Sequence, residues 1–320
     1  MRAAGSEVSA LSAYFLVGPT AAGKTAVAER IAEQGDWEIL SADSMLVYAG
    51  MDIGTAKPAA RRNGAPFYHG LDLRTPDRTF SVWDYRAYAL RSLREIADRG
   101  HRALVAGGTG LYVKSLTDRF DRGTAPDPAV RAEWTARLEE EGVPALQEAL
   151  RAMRPDLYAA LADKRNPRRL IRALELAAAG AQAPDSRPKG KRASAPLAGL
   201  SVAREALQSR IESRVRAMYA GGLVEEVRDL LRLYGRLSST ALQAIGYAEA
   251  ADFLEGRCSR EEAMASTVRR TRRLAKRQMT WFRHQADVRW VRVGTETATE
   301  ATALKVLGHW EKHGPTAIQC

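Results

Sequence analysis

Gly18-Pro19-Thr20-Ala21-Ala22-Gly23-Lys24-Thr25 has the residue types and the spacing of a phosphate cradle, G-x-x-x-x-G-K-[ST]. Gly18 and Gly23 permit backbone conformations in which successive N–H groups turn inward, and a helix N-terminus behind them adds partial positive charge. Lys24 supplies a full charge. Thr25 supplies a hydroxyl suited to Mg²⁺, a hard cation that bridges phosphate oxygens. Phosphate binding follows from this stretch; hydrolysis does not, because the cradle holds any diphosphate or triphosphate of suitable size.

Two more polar side chains stand where an α/β sheet binds its ligands, at the carboxyl ends of predicted strands. Asp43 follows the buried-strand pattern Glu38 to Ala42, and Thr109 lies in Gly107-Gly108-Thr109-Gly110, after the strand pattern Ala103 to Ala106. Asp43 has two roles open to it: a general base, or an acidic Mg²⁺ ligand. The glycines around Thr109 fit a binding loop and an ordinary β-α turn equally well.

A third candidate is basic. Between Val268 and Arg283 stand Arg269, Arg270, Arg272, Arg273, Lys276, Arg277 and Arg283, with no acidic residue among them. Like charges at i and i+4 destabilise a helix, and nothing here is expected to offset them, so a nucleic-acid face is favoured over a solvated surface. Thr271, Leu274, Ala275, Gln278, Trp281 and Phe282 form the opposite stripe, which places Trp281 and Phe282 in the core rather than against bases. Arg168, Arg169 and Arg172 follow the cap Asn166-Pro167, where cations oppose the helix dipole. Phosphate binding gives them a reason; a tolerated exposed cluster is the alternative.

These residues need elements to hold them. An apolar strand over Ala13 to Val17, a helix from Thr25 to about Gly35 and the strand Glu38 to Ala42 read as βαβ, and a long unpatterned loop runs from Ser44 to Pro58. Capping boxes open helices at Ser81 with Asp84 and at Ser259 with Glu262. From Asp127-Pro128 onward helix starts recur at Pro144, Pro155 and Asn166-Pro167, followed by the proline-rich, basic and linker-like Pro184 to Arg192. Leu197 to Val202 and Val288 to Val293 return as strands, with helices over Arg204 to Ala220, Leu223 to Gly235, Ser239 to Glu255 and Ala298 to His313. The expected fold is α/β: a P-loop NTPase-like parallel sheet core with a helical insertion domain and a helix-rich C-terminal half. The core spans 1–117 and 197–320, and the insertion 118–196.

Composition bounds the class. The chain of 320 residues, 45% hydrophobic, can fill a core, and its net charge of +11 favours a polyanionic partner. No apolar run reaches the roughly 18 residues of a membrane helix, and Met1 to Ala10 lacks a signal pattern, so a cytoplasmic protein is expected. Cys258 and Cys320, far apart and without zinc spacing, are expected to be free thiols.

Six stretches taken in order resemble the tRNA isopentenyltransferase (IPP transferase) family, the bacterial tRNA dimethylallyltransferases. They are Gly18 to Thr25, Ser41 to Pro58, Gly107 to Tyr112, Asn166 to Leu174, Gln243 to Tyr247 and Lys276 to Arg283. The resemblance implies transfer of a dimethylallyl group from its diphosphate to the exocyclic amine of the adenine just 3′ of the tRNA anticodon. It implies that Gly18 to Thr25 hold the donor diphosphate with Mg²⁺, with Thr25 at the metal. Asp43 would be the base and Thr109 would hydrogen-bond the target adenine. It further implies tRNA contacts from Asp43-Ser44-Met45-Leu46, Thr109, Arg131, Arg168-Arg169-Leu170-Ile171-Arg172, Gln243-Ala244-Ile245-Gly246-Tyr247-Ala248 and Lys276-Arg277-Gln278-Met279-Thr280-Trp281-Phe282-Arg283. A monomer is expected, with the anticodon stem-loop and dimethylallyl diphosphate as partners and no membrane. Met45-Leu46, Ala49 and the segment 181–195 depart from the family pattern. Outside this family, a P-loop kinase and a prenyltransferase acting on free adenine nucleotide share part of the signature, whereas a guanine-reading motif for a GTPase-like switch is not identifiable.

Overall fold

The computed structural model describes residues 11–58, 67–118, 127–181, 195–294 and 298–319. The basic segment 184–192 and Cys320 lie outside the described residues; Cys258 is a free thiol. The chain divides into two compact units, one formed by 1–120 with 191–320 and the other by 121–190.

Among the described residues, the first unit is built on a seven-stranded sheet. β1 (Ser12–Val17) is followed by the phosphate loop and α1 (Lys24–Ala32), then β2 (Trp37–Ser41), β3 (Tyr68–His69), α2 (Val82–Asp98), β4 (Arg102–Gly107) and α3 (Gly110–Thr117). After the second unit come β5 (Leu197–Val202), α7 (Arg204–Ala220), α8 (Leu223–Tyr234), α9 (Tyr247–Leu254), α10 (Arg260–Gln285), β6 (Val288–Val293), α11 (Thr299–His313) and β7 (Thr316–Ala317). Strand order is β3-β2-β4-β1-β5-β6, all parallel, with β7 antiparallel to β1. β1 therefore lies centrally, with β4 on one side and β5 on the other, and its loop opens at the sheet's carboxyl edge.

Alternation along β1 explains the layering. Phe15 and Val17 enter the core beneath α2 and α7 to α10, and Leu16 enters the core under α1 and α11. Both faces are apolar, as a parallel sheet covered on each side requires. β3 and β7 are two-residue strands without a strand pattern of their own, and they were not anticipated from the sequence. The capping boxes at Ser81 and Ser259 form as expected.

The second unit is helical: α4 (Pro128–Met153), α5 (Pro155–Ala160) and α6 (Pro167–Ala178), packed around Trp134, Leu146, Leu150, Leu157, Leu170 and Leu174. Asp127 and Asn166 cap α4 and α6 through their side chains, each with proline in the first turn. The expected helix start at Pro144 is a break within α4, where Gly142 takes φ 78°.

Candidate active site

Gly18 begins the phosphate loop with φ 145°, and a Cβ there would lie 2.7 Å from the Leu200 carbonyl of β5, so only glycine lets the loop pass this close to the neighbouring strand. Ala21 (φ 61°) and Gly23 (φ 91°) complete the turn. Lys24 Nζ donates to the Pro19 carbonyl at 2.7 Å, folding its ammonium back over the loop. Burial pulls this ammonium down to about 8, against the opposing pull of Asp43, although part of the side chain still faces the cavity above it.

Asp43 is fixed at the end of β2 by a short network. Its Oδ1 accepts from the Met45 amide at 3.0 Å, and its own amide donates to Ser41 Oγ at 3.3 Å. Thr109, from the β4-α3 loop, accepts from the Ser44 amide at 3.0 Å and donates to Ser44 Oγ at 3.2 Å. The Thr109 amide also donates to Ala42 O at 3.0 Å, so the two strand-end loops form one surface.

Two cavities meet there. One, of about 470 Å³, is floored by the phosphate loop and walled by Ile39, Leu46, Ala56, Pro58 and Tyr68. The other, of about 500 Å³, is lined by Ser44, Met45, Thr109, Gln243, Ala244, Ile245 and the α10 cations Arg270, Arg273 and Arg277. Thr20, Asp43, Thr55 and Arg214 line both. Both volumes fall in the range of small-molecule sites.

Arg210 and Arg214 of α7 were not found from the sequence. Arg210 lines the phosphate-loop cavity, and Arg214 Nη2 donates to Thr55 O at 3.0 Å on the wall common to both. Burial lowers the Arg214 guanidinium's affinity for its proton and the Asp43 charge raises it. The sequence carried little signal for them: Arg210 and Arg214 repeat at i and i+4, but Glu212 stands between them, unlike the acid-free run that marks α10.

α10 differs from its expected description in two respects. Its charges are partly offset by neighbouring helices: Arg270 pairs with Glu249 of α9 at 2.6 Å, and Arg272 pairs with Glu212 of α7. Such partners lie far away in sequence, so a reading confined to the helix misses them. Arg269, Arg273, Lys276, Arg277 and Arg283 are exposed. Gln278, expected at tRNA, is engaged in the protein: its Oε1 accepts from the Thr20 amide at 2.8 Å and its Nε2 donates to Gly108 O at 3.0 Å. It thereby ties the phosphate loop to the Thr109 loop.

Other residues expected at RNA are inside. Tyr247 and Phe282 are fully buried in the first unit, as Leu170 is in the second, and Ile171 beside it is buried too, because each lies on the apolar stripe of its helix. Trp281 packs on Gly110, where a Cβ would stand 2.3 Å from the indole. Gly246 is the buried N-cap of α9, while Ala248, Met279 and Thr280 retain exposed surface. In the second unit Arg131 and Arg172 share the buried Glu175 carboxylate at 2.5 and 3.0 Å, and Arg168, Arg169 and Arg172 rim an apolar cavity with Leu157, Leu161 and Leu176.

The family model "IPP transferase" matches residues 46–285 and "Isopentenyl transferase" matches 11–63. A tRNA dimethylallyltransferase of Corynebacterium jeikeium is 40% identical over 90% of this chain and 95% of its own. The tRNA isopentenylpyrophosphate transferase structure from Bacillus halodurans superposes with TM-score 0.69 at 36% identity, covering 94% of this chain and 97% of that one. That from Staphylococcus epidermidis gives 0.65 at 30% identity, covering 93% and 99%. With this match running through the phosphate loop, both strand-end loops and α10, the chain belongs to the IPP transferase family, whose curated relatives are named tRNA dimethylallyltransferase.

Proposed function

We propose that this protein transfers a dimethylallyl group from dimethylallyl diphosphate to the exocyclic amine of the adenine 3′ of the anticodon in tRNA, acting as a monomer in the cytoplasm. The observation that carries the reading is the pair of cavities joined at Asp43. The phosphate-loop cavity takes the donor, with its diphosphate on the loop amides, Lys24, Arg210 and Arg214 and its prenyl group against apolar walls. The other takes an adenine extruded from the anticodon loop, as chemistry on a stacked base requires. Thr109 and Ser44 offer hydroxyls to the base edge.

In the transfer a C–N bond forms between the amine and the allylic carbon, the C–O bond to diphosphate breaks, and the amine proton passes to the Asp43 carboxylate. The amine is a weak nucleophile because its lone pair is conjugated with the ring, so a carboxylate that accepts from it both orients it and removes its proton. Lys24 and Arg214 meet the charge that develops on the leaving diphosphate. The donor set suits Mg²⁺: Thr25 in the first turn of α1 and Ser41 offer hydroxyls on the cavity wall beside Asp43. A bound Mg²⁺ would neutralise the diphosphate; Thr25 would hold it.

The exposed cations of α10 and, in the second unit, Arg168 and Arg169 serve an RNA backbone better than a small acceptor. No described helix is long and apolar enough to cross a membrane. Incubating the protein with labelled dimethylallyl diphosphate and either unmodified tRNA or free adenine nucleotides tests the proposal. Label is expected in the tRNA alone, in the nucleotide 3′ of the anticodon; label in AMP, or phosphoryl transfer from ATP with none in tRNA, would refute it.

A further inference from the structure

The loop between β2 and β3 is held by a carboxylate that lines neither cavity. Glu226 of α8 accepts from three successive backbone amides, Asp52 at 3.0 Å and Ile53 at 2.8 Å on one oxygen and Gly54 at 3.4 Å on the other. The Tyr247 hydroxyl donates to that second oxygen at 2.5 Å. Three amides converging on one anion form a nest, here filled from within the protein rather than by a ligand. Helix dipole does not account for Glu226, since its neighbour Glu225 already places an exposed carboxylate in the same first turn.

The nest winds 51–57 into a tight coil. Thr55 Oγ1 donates to Met51 O at 2.6 Å, and the Lys57 amide donates to Asp52 O at 2.9 Å. Lys57 Nζ closes the coil by donating to Tyr48 O, Asp52 and Asp72 at 2.8, 2.5 and 2.6 Å. What the coil presents to the site is the Thr55 carbonyl, which takes the Arg214 guanidinium at 3.0 Å on the wall common to both cavities.

We infer that Glu226 is a positioning residue for the transfer: through the 52–55 backbone it sets the Thr55 carbonyl, and the carbonyl aims Arg214 at the donor diphosphate. This rests on the donor-site reading of Arg214. An arginine fork is useful only when its planar donors match the anion, and a displacement of about 1 Å in a positioned group can lower a rate about 10²-fold. Glu226→Gln keeps the shape but replaces one acceptor oxygen with an NH₂ facing an amide or the Tyr247 hydroxyl, which removes an acceptor the nest needs.

The test is a double-mutant cycle with dimethylallyl diphosphate and unmodified tRNA. Glu226→Gln is expected to raise the donor KM and lower kcat, together by about 10- to 100-fold, with the tRNA KM within about twofold of wild type. In an Arg214→Ala background, itself strongly impaired, the same change is expected to cost less than about twofold more, because the group it positions is gone. Independent multiplication of the two losses would overturn the relay. Wild-type donor kinetics for Arg214→Ala would instead remove the donor-site reading beneath it. If Glu226→Gln does not fold, Tyr247→Phe, which deletes one donor to the same carboxylate, takes its place in the cycle. It is expected to show a smaller donor-specific loss that vanishes with Arg214; a loss that persists there overturns the proposal.

Discussion

Asp43 lines both cavities, so in the proposed reaction its carboxylate faces donor and acceptor alike. Asp43→Asn preserves shape and removes basicity. Single-turnover transfer at saturating donor is expected to fall at least ~10²-fold, while donor affinity and its Mg²⁺ dependence stay close to wild type. Recovery of the rate on raising Mg²⁺ would instead make Asp43 a metal ligand. Lys24 makes a separate prediction about pH. Burial has lowered its ammonium to about 8, so the charge is complete well below that pH and lost above it. A bound diphosphate favours the charged form, so donor affinity is expected to be flat at lower pH and to weaken as pH rises through about 8, with proton uptake on binding above it. Calorimetry in two buffers of different ionisation enthalpy measures that uptake; affinity unchanged between about pH 7 and 9 would count against a Lys24-donor contact.

At the scale of elements, α10 has two faces with different surroundings. Its exposed face carries Arg273, Lys276 and Arg277, and changing all three to Ala is expected to weaken tRNA binding and flatten its salt dependence by roughly 0.7 to 0.9 per lost phosphate contact. A slope equal to wild type would show that these side chains face only solvent. Its inward face carries Gln278, which joins the Thr20 amide to the Gly108 carbonyl. Gln278→Ala is therefore expected to raise the donor KM several-fold with tRNA affinity nearly unchanged, and the reverse split would restore Gln278 as an RNA contact. The contrast shows what a sequence can carry. The phosphate loop, Asp43 and Thr109 were legible because each lies in a contiguous strand-to-loop pattern whose geometry is local. Arg214 and Glu226 were not, because ordinary residues on ordinary helices acquire their contacts from a loop some 160 to 175 positions earlier. The ion pairs of Arg270 and Arg272 were hidden in the same way, and β3 and β7 are too short to leave a period. For Tyr247 and Phe282 the apolar stripe was the better guide, since both are core.

At the scale of the whole molecule, a net charge of +11 favours encounter with a polyanion, and the fold must hold its acidic groups where they are needed. Glu38 is the clearest case. Its buried carboxylate on β2 takes Arg99 at 2.8 Å through two nitrogens, His69 at 2.6 Å from β3 and His101 at 2.8 Å from the turn into β4, so one side chain ties three adjacent strands and the end of α2. Burial alone would push its pKa up from 4.5; hydrogen bonds from Arg99, His69 and His101, with the Arg99 charge, overcome that and hold it at about 2. A carboxyl whose folded value is depressed adds stability above its unfolded value, and that stability is lost as pH falls through the folded one. The contribution is on the order of 2 to 4 kcal/mol at neutral pH. Glu38→Gln is thus expected to lower the unfolding free energy by about that much at pH 7, measured by urea titration of the sheet unit's near-ultraviolet signal. Between about pH 4.5 and 2 the wild type should lose its advantage and the two curves converge, because both then carry an uncharged group at the centre of the cluster. A gap that stays constant across that range would mean that packing at Glu38, rather than its charge, holds the strands together.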